Sequence, residues 1–394
     1  MKIQIGLFFG GNSVEHEVSV ISALQAFGQF DREKYTVLPI YISRNSEFYT
    51  GEAAGHIEEY KDPKALMAKC TQVFPVRLGD RVALLEQGAF GWKKKPYALL
   101  DVAFPVVHGT NVEDGALQGF FRTLGIPFAG CDVLASAVGM DKYAQKLLYR
   151  SAGLPVLSAL RLGAEGDREA FCDLAEKQLR YPMIVKPLDL GSSVGIRLAH
   201  DRAGLLEALD YAFSFAPEVL TEQAVQHLRE LNCSVLGDRE EARASEVEEP
   251  IMGDEILSYE DKYGSGGGKG GKTGASKGMR GLKRLLPAPI SPELREKIRE
   301  AAVAAFQALD CCGVARIDFL MDDETGQYWV NEINTNPGSL SFYLWEPVGL
   351  PYPQLLDELV KLALKRERRR GDFHHEIETG ILAGFSGGSK GGKI

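Results

Sequence analysis

The sequence lacks several features that mark common classes of protein. It contains no run of about 18 apolar residues, so we expect no membrane-spanning helix and no membrane partner. Lysine and arginine number 45 against 54 aspartates and glutamates, and the net charge of −9 argues against a nucleic-acid partner. The six cysteines show no C-x-x-C spacing and no histidine at zinc-site spacing. Buried, reduced thiols in a cytoplasmic enzyme are therefore expected.

The chain is long enough for two or three domains, with 394 residues of which 45% are apolar and 25% charged. Its first part alternates between strand and helix patterns. KIQIGLFFGG reads as a strand, and a helical pattern follows behind Ser13, a candidate N-cap. YTVLPIYIS and LLDVAFPVVHG are two further strands. This alternation predicts an α/β domain with a mainly parallel sheet over residues 1–128.

The rest of the chain predicts two smaller α+β units, over residues 129–221 and 222–372, and a glycine-rich tail over 373–394. Asp141 is a candidate cap for the helix that starts at Lys142. Ser291 and Pro292 are placed to start a long amphipathic helix. VARIDFLMDDETGQYWVNEINTN reads as two strands around a DETG turn.

The DETG hairpin carries the residue types of a metal and phosphate site. Side chains two apart on a strand share a face, so Arg316 projects with Asp318, and Glu332 projects with Asn334. Carboxylate and amide oxygens suit magnesium that also holds nucleotide phosphates. An arginine beside them can stabilise charge on a transferring phosphoryl group. A solvated, charged strand face is the alternative interpretation.

Two lysines are candidates for binding phosphate. Lys186 ends an apolar strand and precedes a Gly-Ser-Ser turn, which offers a cation, backbone N–H groups and hydroxyls. Lys142 lies at the start of a helix, where anions are favoured. Each lysine alone is also compatible with an ordinary surface position.

A phosphate-binding-loop pattern occurs in the glycine-rich segment 264–281. Gly266, Gly271, Lys272 and Thr273 satisfy G-x-x-x-x-G-K-[ST]. A working loop of this kind lies between a strand and a helix. The residues that follow, GASKGMRGLKR, are too rich in glycine for a helix, so the pattern is interpreted as accidental.

Seven motifs occur in order along the chain: G-G-N-S-V-E-H-E-V-S, H-G-T-N-V-E-D-G-A-L-Q-G, S-A-V-G-M-D-K, K-P-x-x-x-G-S-S-V-G, Y-E-D-K-Y, R-I-D and N-E-I-N-T-N-P-G. In this set and order the chain resembles the D-alanine–D-alanine ligases of the ATP-grasp superfamily, from about Lys2 to Leu364. The resemblance implies an ATP-grasp fold, in which the two α+β subdomains sandwich ATP and segment 264–281 forms a lid.

The resemblance also implies roles for the residues that contact ATP and metal. Lys142 and Lys186 would contact the phosphates. The adenine slot would be lined by backbone groups of Glu222, Gln223, Ala224 and Val225, and the ribose would be bound by Glu230. Further ATP contacts would come from Ser192, Ser193 and Lys262. Two magnesium ions, with manganese as an alternative, would be held by Asp318, Glu332 and Asn334.

For the amino-acid substrates, the resemblance implies that Glu15 binds the ammonium of the first D-alanine, with His108 nearby. Ser192 and Tyr263 would link to Glu15 and close a loop over the site. Arg316 and the backbone N–H of Gly338 would stabilise the tetrahedral intermediate. The implied product is D-alanyl-D-alanine, a peptidoglycan precursor, made through an acyl phosphate by a cytoplasmic enzyme that is commonly a homodimer.

The chain departs from the family pattern after the P-G dipeptide. In the family a serine that helps to bind the second substrate's carboxylate precedes a leucine or methionine, but here Tyr343 precedes Leu344. Ser341 is the alternative hydroxyl. A ligase with another acceptor, such as D-serine, D-lactate or another amino acid, is therefore a second hypothesis. A P-loop ATPase is a third hypothesis, and an inactive regulatory homologue is a fourth.

Overall fold

The computed structural model of the protein describes residues 2–88, 95–190, 194–251 and 284–373. Within these ranges the strands form sheets of seven, four and five strands. The strands are β1 (Ile3–Gly10), β2 (Tyr35–Ile42), β3 (Phe48–Thr50), β4 (Thr71–Leu78), β5 (Arg81–Glu86), β6 (Ala98–Leu100), β7 (Val102–Pro105), β8 (Ala159–Gly163), β9 (Met183–Pro187), β10 (Arg197–Ala199), β11 (Glu218–Gln223), β12 (Leu228–Gly237), β13 (Ala242–Pro250), β14 (Arg284–Leu285), β15 (Gly313–Asp322) and β16 (Tyr328–Asn334). The helices are α1 (His16–Phe27), α2 (Pro63–Lys69), α3 (Ala116–Leu124), α4 (Val133–Met140), α5 (Lys142–Ser151), α6 (Arg168–Gln178), α7 (Arg202–Phe213), α8 (Pro292–Ala308) and α9 (Tyr352–Gly371).

The first sheet has the strand order β6-β5-β4-β3-β2-β1-β7. Only β2, β1 and β7 are parallel, and β2 to β6 pair antiparallel, so the expectation of a mainly parallel sheet is wrong. Parallel neighbours need a crossover of about a dozen residues. Five residues separate β2 from β3 and two separate β4 from β5, which leaves room only for hairpins. The sheet is therefore mixed, although the α/β class is confirmed.

Three residues were predicted to cap the N-termini of helices, and the structure confirms two of them. The Asp141 carboxylate accepts the amide hydrogens of Tyr143 and Ala144, both at 2.9 Å, and the Ser291 hydroxyl accepts that of Leu294 at 3.2 Å. The Ser13 prediction is wrong, because α1 begins at His16 with Glu15 in the N-cap position. The Ser13 hydroxyl instead accepts the amide hydrogen of Glu15, two residues ahead, and so forms a local turn before the helix.

The five-stranded sheet, in the order β14-β13-β12-β15-β16, separates a core face from a polar face. Ala315, Ile317 and Phe319 of β15 are fully buried in a core that includes residues of α8. Burying a side chain such as Phe319 stabilises the fold by roughly 1.5–3 kcal/mol. The alternate residues Arg316 and Asp318 therefore lie on the opposite face, as the hairpin pattern predicted.

The N-terminal core extends to the C-terminal part of the chain. Buried side chains of β1 cluster with residues of the 3₁₀ turn Gly338–Leu344 and of α9. Leu340, Leu344 and Leu355 are among them, each no more than 3% exposed. This packing fixes the turn after β16 against the first sheet. Among the described residues, no helix is both long and apolar enough to cross a membrane.

Candidate active site

The polar face of the β15–β16 hairpin forms one wall of a cleft. The strand register places Arg316 opposite Asn334 and Asp318 opposite Glu332. Arg316 donates two hydrogen bonds to Asp318, at 2.6 and 2.8 Å, and the Asn334 amide donates to the same carboxylate at 3.0 Å. Burial opposes the charge of Arg316, but Asp318 raises its pKa well above the ordinary value. We call these four residues the carboxylate wall.

A second wall consists of lysines around one buried carboxylate. Glu222 of β11 lies 2.5 Å from Lys146 of α5 and 2.6 Å from Lys186 of β9, measured between nitrogen and oxygen. The three side chains are 1%, 2% and 8% exposed, respectively. Burial opposes ionisation of Glu222, yet the two lysines lower its pKa to about 2. Burial also lowers the pKa of Lys146, while the adjacent Glu222 carboxylate opposes that shift and forms an ion pair with the ammonium group.

The two walls meet at Lys142. Its ammonium donates to the backbone carbonyl of Leu190 at 2.7 Å and lies 3.7 Å from a Glu332 carboxylate oxygen. Lys142 and Lys146 are four residues apart on α5 and so share a helix face. With Lys186 and Glu222 they form what we call the lysine wall. Its three ammonium groups outnumber the one carboxylate of Glu222, which suits a polyanion such as a triphosphate.

The predicted adenine segment borders a cavity of about 490 Å³ beside the lysine wall. Gln223, Ala224 and Val225 line it together with Leu179 and Trp329. The backbone N–H of Ala224 already donates to the carbonyl of a cis-linked proline, Pro182, at 2.9 Å, which removes it as a donor to adenine. The Glu222 side chain is buried against the lysines, and its backbone lies in the sheet between Ala159 of β8 and Ile184 of β9, so its adenine contact stays a prediction. Glu230, predicted for ribose, is half-buried on β12.

The residues predicted to bind the first D-alanine, Glu15 and His108, lie where the first sheet meets the turn after β16. We call this region the donor end of the site and call the His108–Gly109 segment the donor loop. A Cβ atom placed on Gly109 would lie 3.1 Å from an Oε of Glu15, so the His108–Gly109 loop runs directly beside that carboxylate. Gly109 has a φ of +81°, a conformation that favours glycine. Burial lowers the pKa of His108 to about 4, so its imidazole is neutral near pH 7. Its Nε2 lies 3.2 Å from the Ser22 hydroxyl.

Glu113 is a residue of this end for which the sequence pattern gave no role. Its carboxylate accepts the amide hydrogens of Gly109 and Asn336, both at 3.0 Å, and the Thr335 hydroxyl at 3.3 Å. Burial raises the pKa of Glu113 to about 8, although those donors favour the ionised form. Glu113 thus links the donor loop to the segment after Asn334. The sequence feature that could have marked Glu113 as a site residue is its position in the H-G-T-N-V-E-D-G motif.

The turn after Pro337 has an unusual backbone. Ser339, Leu340 and Ser341 have φ values of 50°, 55° and 49°, so three consecutive non-glycine residues are left-handed. Each such residue costs roughly 1–2 kcal/mol. Gly338, predicted for the oxyanion, directly precedes them and is half-buried. We call residues 339–341 the left-handed turn.

The predicted acceptor residues follow in the same segment. Ser341 is fully buried, and its hydroxyl has no hydrogen-bond partner among the described residues. Leu344 is fully buried in the N-terminal core. The Tyr343 hydroxyl donates to Glu248 at 2.9 Å, and the Arg284 guanidinium lies 3.9 Å above its ring. The side chains of Ser341 and Leu344 therefore do not face the cleft, and their substrate roles stay predictions.

Four predicted site residues lie outside the described ranges: Ser192, Ser193, Lys262 and Tyr263. The predicted lid 264–281, with its phosphate-loop pattern, and residues 374–394 of the predicted tail also lie outside them. In the described ranges, no cluster of three or more histidine, cysteine, aspartate or glutamate side chains has metal-binding geometry. The predicted magnesium donors are two carboxylates and an amide. Their oxygens suit magnesium chemically, and Asp318 and Glu332 face each other across the hairpin.

Comparison with solved structures defines the class. The chain matches a D-alanine-D-alanine ligase from Coxiella burnetii with a TM-score of 0.77 and 27% identity, covering 94% of this chain and 96% of that one. The VanG D-Ala:D-Ser ligase from Enterococcus faecalis matches with a TM-score of 0.74 and 31% identity, over 92% and 100% of the two chains. The fold is therefore that of the ATP-grasp ligases.

Comparison of sequences gives the family within that class. The model described as D-ala D-ala ligase N-terminus matches residues 4–131, and the model described as D-ala D-ala ligase C-terminus matches residues 148–361. A D-alanine--D-alanine ligase of Acetivibrio thermocellus is 40% identical over 382 residues, 93% of this chain and 96% of the relative. One of Thermosipho melanesiensis is 38% identical over 380 residues, 96% and 98% of the two. The chain belongs to the D-alanine–D-alanine ligase family.

Proposed function

We propose that this protein joins two D-alanine molecules into D-alanyl-D-alanine at the expense of ATP, as a step of peptidoglycan precursor synthesis. The observation that carries the proposal is the meeting of the lysine wall and the carboxylate wall, where Lys142 lies 3.7 Å from Glu332. This arrangement offers cations for phosphates beside carboxylates that suit magnesium. Because the reaction consumes ATP, we further propose a cytoplasmic location, and we expect a homodimer.

The first proposed step activates a carboxylate. An oxygen of the first D-alanine's carboxylate attacks the γ-phosphorus of ATP, ADP leaves, and an acyl phosphate forms. Lys142 and Lys186 neutralise the phosphates during this transfer, and Glu222 holds Lys186 in place. Glu15 binds the ammonium of the substrate and so orients its carboxylate. Magnesium, or manganese, held by Asp318, Glu332 and Asn334, supplies further charge neutralisation to the phosphates when bound.

The second proposed step forms the peptide bond. The amine of the second D-alanine attacks the acyl carbon, and phosphate leaves as the tetrahedral intermediate collapses with loss of a proton. Arg316 and the Gly338 amide stabilise the oxygen that becomes negative in that intermediate. His108 is neutral near pH 7 and lacks the charge needed to repel the substrate ammonium at Glu15. No covalent enzyme intermediate is required.

An acceptor other than D-alanine is the second candidate, and Tyr343 is the observation that favours it. Tyr343 stands at the sequence position of the family's serine, and its hydroxyl donates to Glu248. A tyrosine at this position would give the acceptor a different contact from the serine of the family. One structural relative is named a D-Ala:D-Ser ligase.

The decisive measurement is ADP release with D-alanine alone and with D-alanine plus D-serine or D-lactate, with each product identified by mass. We expect stimulation by D-alanine alone and the mass of the dipeptide. Stimulation only by a mixed pair would favour the second candidate. Lys272→Ala is the control for the glycine-rich pattern. If it abolished ATP binding as fully as Lys186→Ala, nucleotide binding would belong to that pattern instead.

A further inference from the structure

Helix α1 reaches from the donor end of the site to the left-handed turn. Glu15 directly precedes α1, and Ser22 lies seven residues further on, about 10 Å along the helix axis. Ser22 and Gln25 are three residues apart and so share a helix face. Both contact the same residue of the turn. Ser339 donates its backbone N–H to the Ser22 hydroxyl at 3.0 Å and its own hydroxyl to the Gln25 amide oxygen at 2.5 Å.

The Ser22 hydroxyl has two partners in different parts of the chain. It accepts the Ser339 amide hydrogen and lies 3.2 Å from Nε2 of His108. A hydroxyl has one donor hydrogen and two acceptor lone pairs, so Ser22 can bond to Nε2 in either tautomer of the neutral imidazole while it accepts from Ser339. Ser22 is 1% exposed and His108 is 5% exposed, so water does not compete for these bonds. One hydroxyl therefore ties the donor loop to the turn.

The turn needs such a support because its backbone is strained. Ser339, Leu340 and Ser341 all have Cβ atoms and all lie in the left-handed region. A strained conformation of this kind persists only where the surroundings determine it. Leu340 is anchored by core packing, while Ser339 is anchored through its polar contacts to α1. Gly338 directly precedes Ser339, so a shift of Ser339 shifts Gly338.

We infer that Ser22 and Gln25 are positioning residues, which hold the left-handed turn and thereby set the place of the Gly338 amide relative to Glu15. This inference rests on the proposed function, since it assigns the turn a task in the ligation. In this arrangement α1 fixes the distance between the site that binds the substrate's ammonium group and the site that binds its carbonyl oxygen. Neither residue touches the substrate in this scheme.

Ser19 provides a matched control on the same helix. Its hydroxyl is also buried and also has two partners, both of them backbone groups: it accepts from Gly10 at 2.8 Å and donates to Val106 at 2.7 Å. Gly10 ends β1 and Val106 directly follows β7, so neither partner belongs to the left-handed turn. Ser19→Ala and Ser22→Ala therefore lose similar bonds, but only Ser22→Ala releases Ser339.

The experiment compares steady-state kinetics and amide exchange in the two variants. We expect Ser22→Ala to lower kcat by about 10- to 100-fold with little change in the KM for ATP, because a displaced reacting geometry costs rate. Ser19→Ala should keep kcat within about threefold, since its lost bonds lie away from the turn. The amides of residues 339–341 should exchange faster in Ser22→Ala than in Ser19→Ala.

A rescue variant separates positioning from general stability. Glycine adopts left-handed backbone without strain, so Ser22→Ala combined with Ser339→Gly should regain part of the lost kcat. If Ser22→Ala does not fold, Gln25→Met carries the same comparison. Equal kcat and equal exchange in the Ser19 and Ser22 variants would overturn the inference while leaving the proposed function intact. An unmodified protein without D-alanine-dependent ADP release would refute the proposed function, and this inference with it.

Discussion

The two walls of the cleft hold their charges in different ways. In the lysine wall, Glu222 is 1% exposed and lies between two ammonium groups that are themselves buried. In the carboxylate wall, Asp318 is 16% exposed and lies beside Arg316, while Glu332 is 29% exposed and lies near Lys142. The first wall is a closed ion cluster. The second remains open to the cleft.

This difference separates stability from reactivity. Charges buried with fixed partners are costly to expose singly, so the lysine wall is part of the folded core as well as of the site. Partly exposed charges can exchange partners when phosphates and metal arrive. We expect substitutions in the lysine wall to act first on folding and substitutions in the carboxylate wall to act first on turnover.

The largest expected effect comes from Glu222→Gln. It leaves Lys146 and Lys186 buried without their carboxylate and should lower the free energy of unfolding by about 3–5 kcal/mol. Denaturant titration measures the change. Glu218→Gln is the control, because Glu218 lies on the same strand and pairs with Arg161 while 38% exposed. Its loss should stay below about 1 kcal/mol. Equal losses for the two variants would remove the distinction between the walls.

Asp318→Asn should have the next largest effect, and on the other property. The side chain keeps its shape but loses its charge beside Arg316, and we expect kcat to fall by about 10²- to 10³-fold. Its free energy of unfolding should change less than that of Glu222→Gln. Glu324→Gln, an exposed position in the turn of the same hairpin, should retain full activity. An Asp318→Asn protein with normal kcat would contradict the proposed site.

A pH series gives the smallest effect and sharpens the comparison between buried carboxylates. The pKa of Glu222 is lowered to about 2, so its contribution to stability is present above pH 4.5 and is lost as pH falls towards 2. The pKa of Glu113 is raised to about 8, so the folded state keeps a proton that the unfolded state releases above pH 4.5. Its contribution is therefore fully present below pH 4.5 and is lost progressively as pH rises from 4.5 through 8.

Thermal or denaturant unfolding between pH 6 and pH 8.5 measures the Glu113 effect. The unmodified protein should lose roughly 2–3 kcal/mol relative to Glu113→Gln over that interval, because the variant has no carboxyl group to ionise. Parallel pH curves for the two proteins would show that Glu113 is ionised throughout.

The local sequence pattern was sufficient to predict that the residues of the carboxylate wall share one face of the hairpin. Arg316 and Asp318 share a strand face because residues two apart always do, and a short turn leaves one hairpin partner for them. The caps at Asp141 and Ser291 were predictable for the same reason, since each depends on neighbours within three residues. Ser13 misled because a serine before a helix can also close a turn of its own.

Contacts between distant residues were not predictable in this way. Glu222 was assigned a backbone role, yet its side chain binds lysines 76 and 36 residues earlier in the chain. Lys146 belongs to no motif, and only its spacing from Lys142 distinguishes it. Glu113 belongs to a motif, but the sequence assigned it no role. The antiparallel part of the first sheet is a different case, because it follows from short connections that are local in the sequence.

Periodicity, turn residues and motif order therefore defined the elements, the family resemblance and the hairpin with its metal-binding residue types. These depend on interactions within a few residues, which the order of amino acids specifies directly. Which buried charge faces which, and how α1 holds the left-handed turn, was decided only in the tertiary structure. Burial sets the strength of those interactions, and burial depends on the whole packed chain.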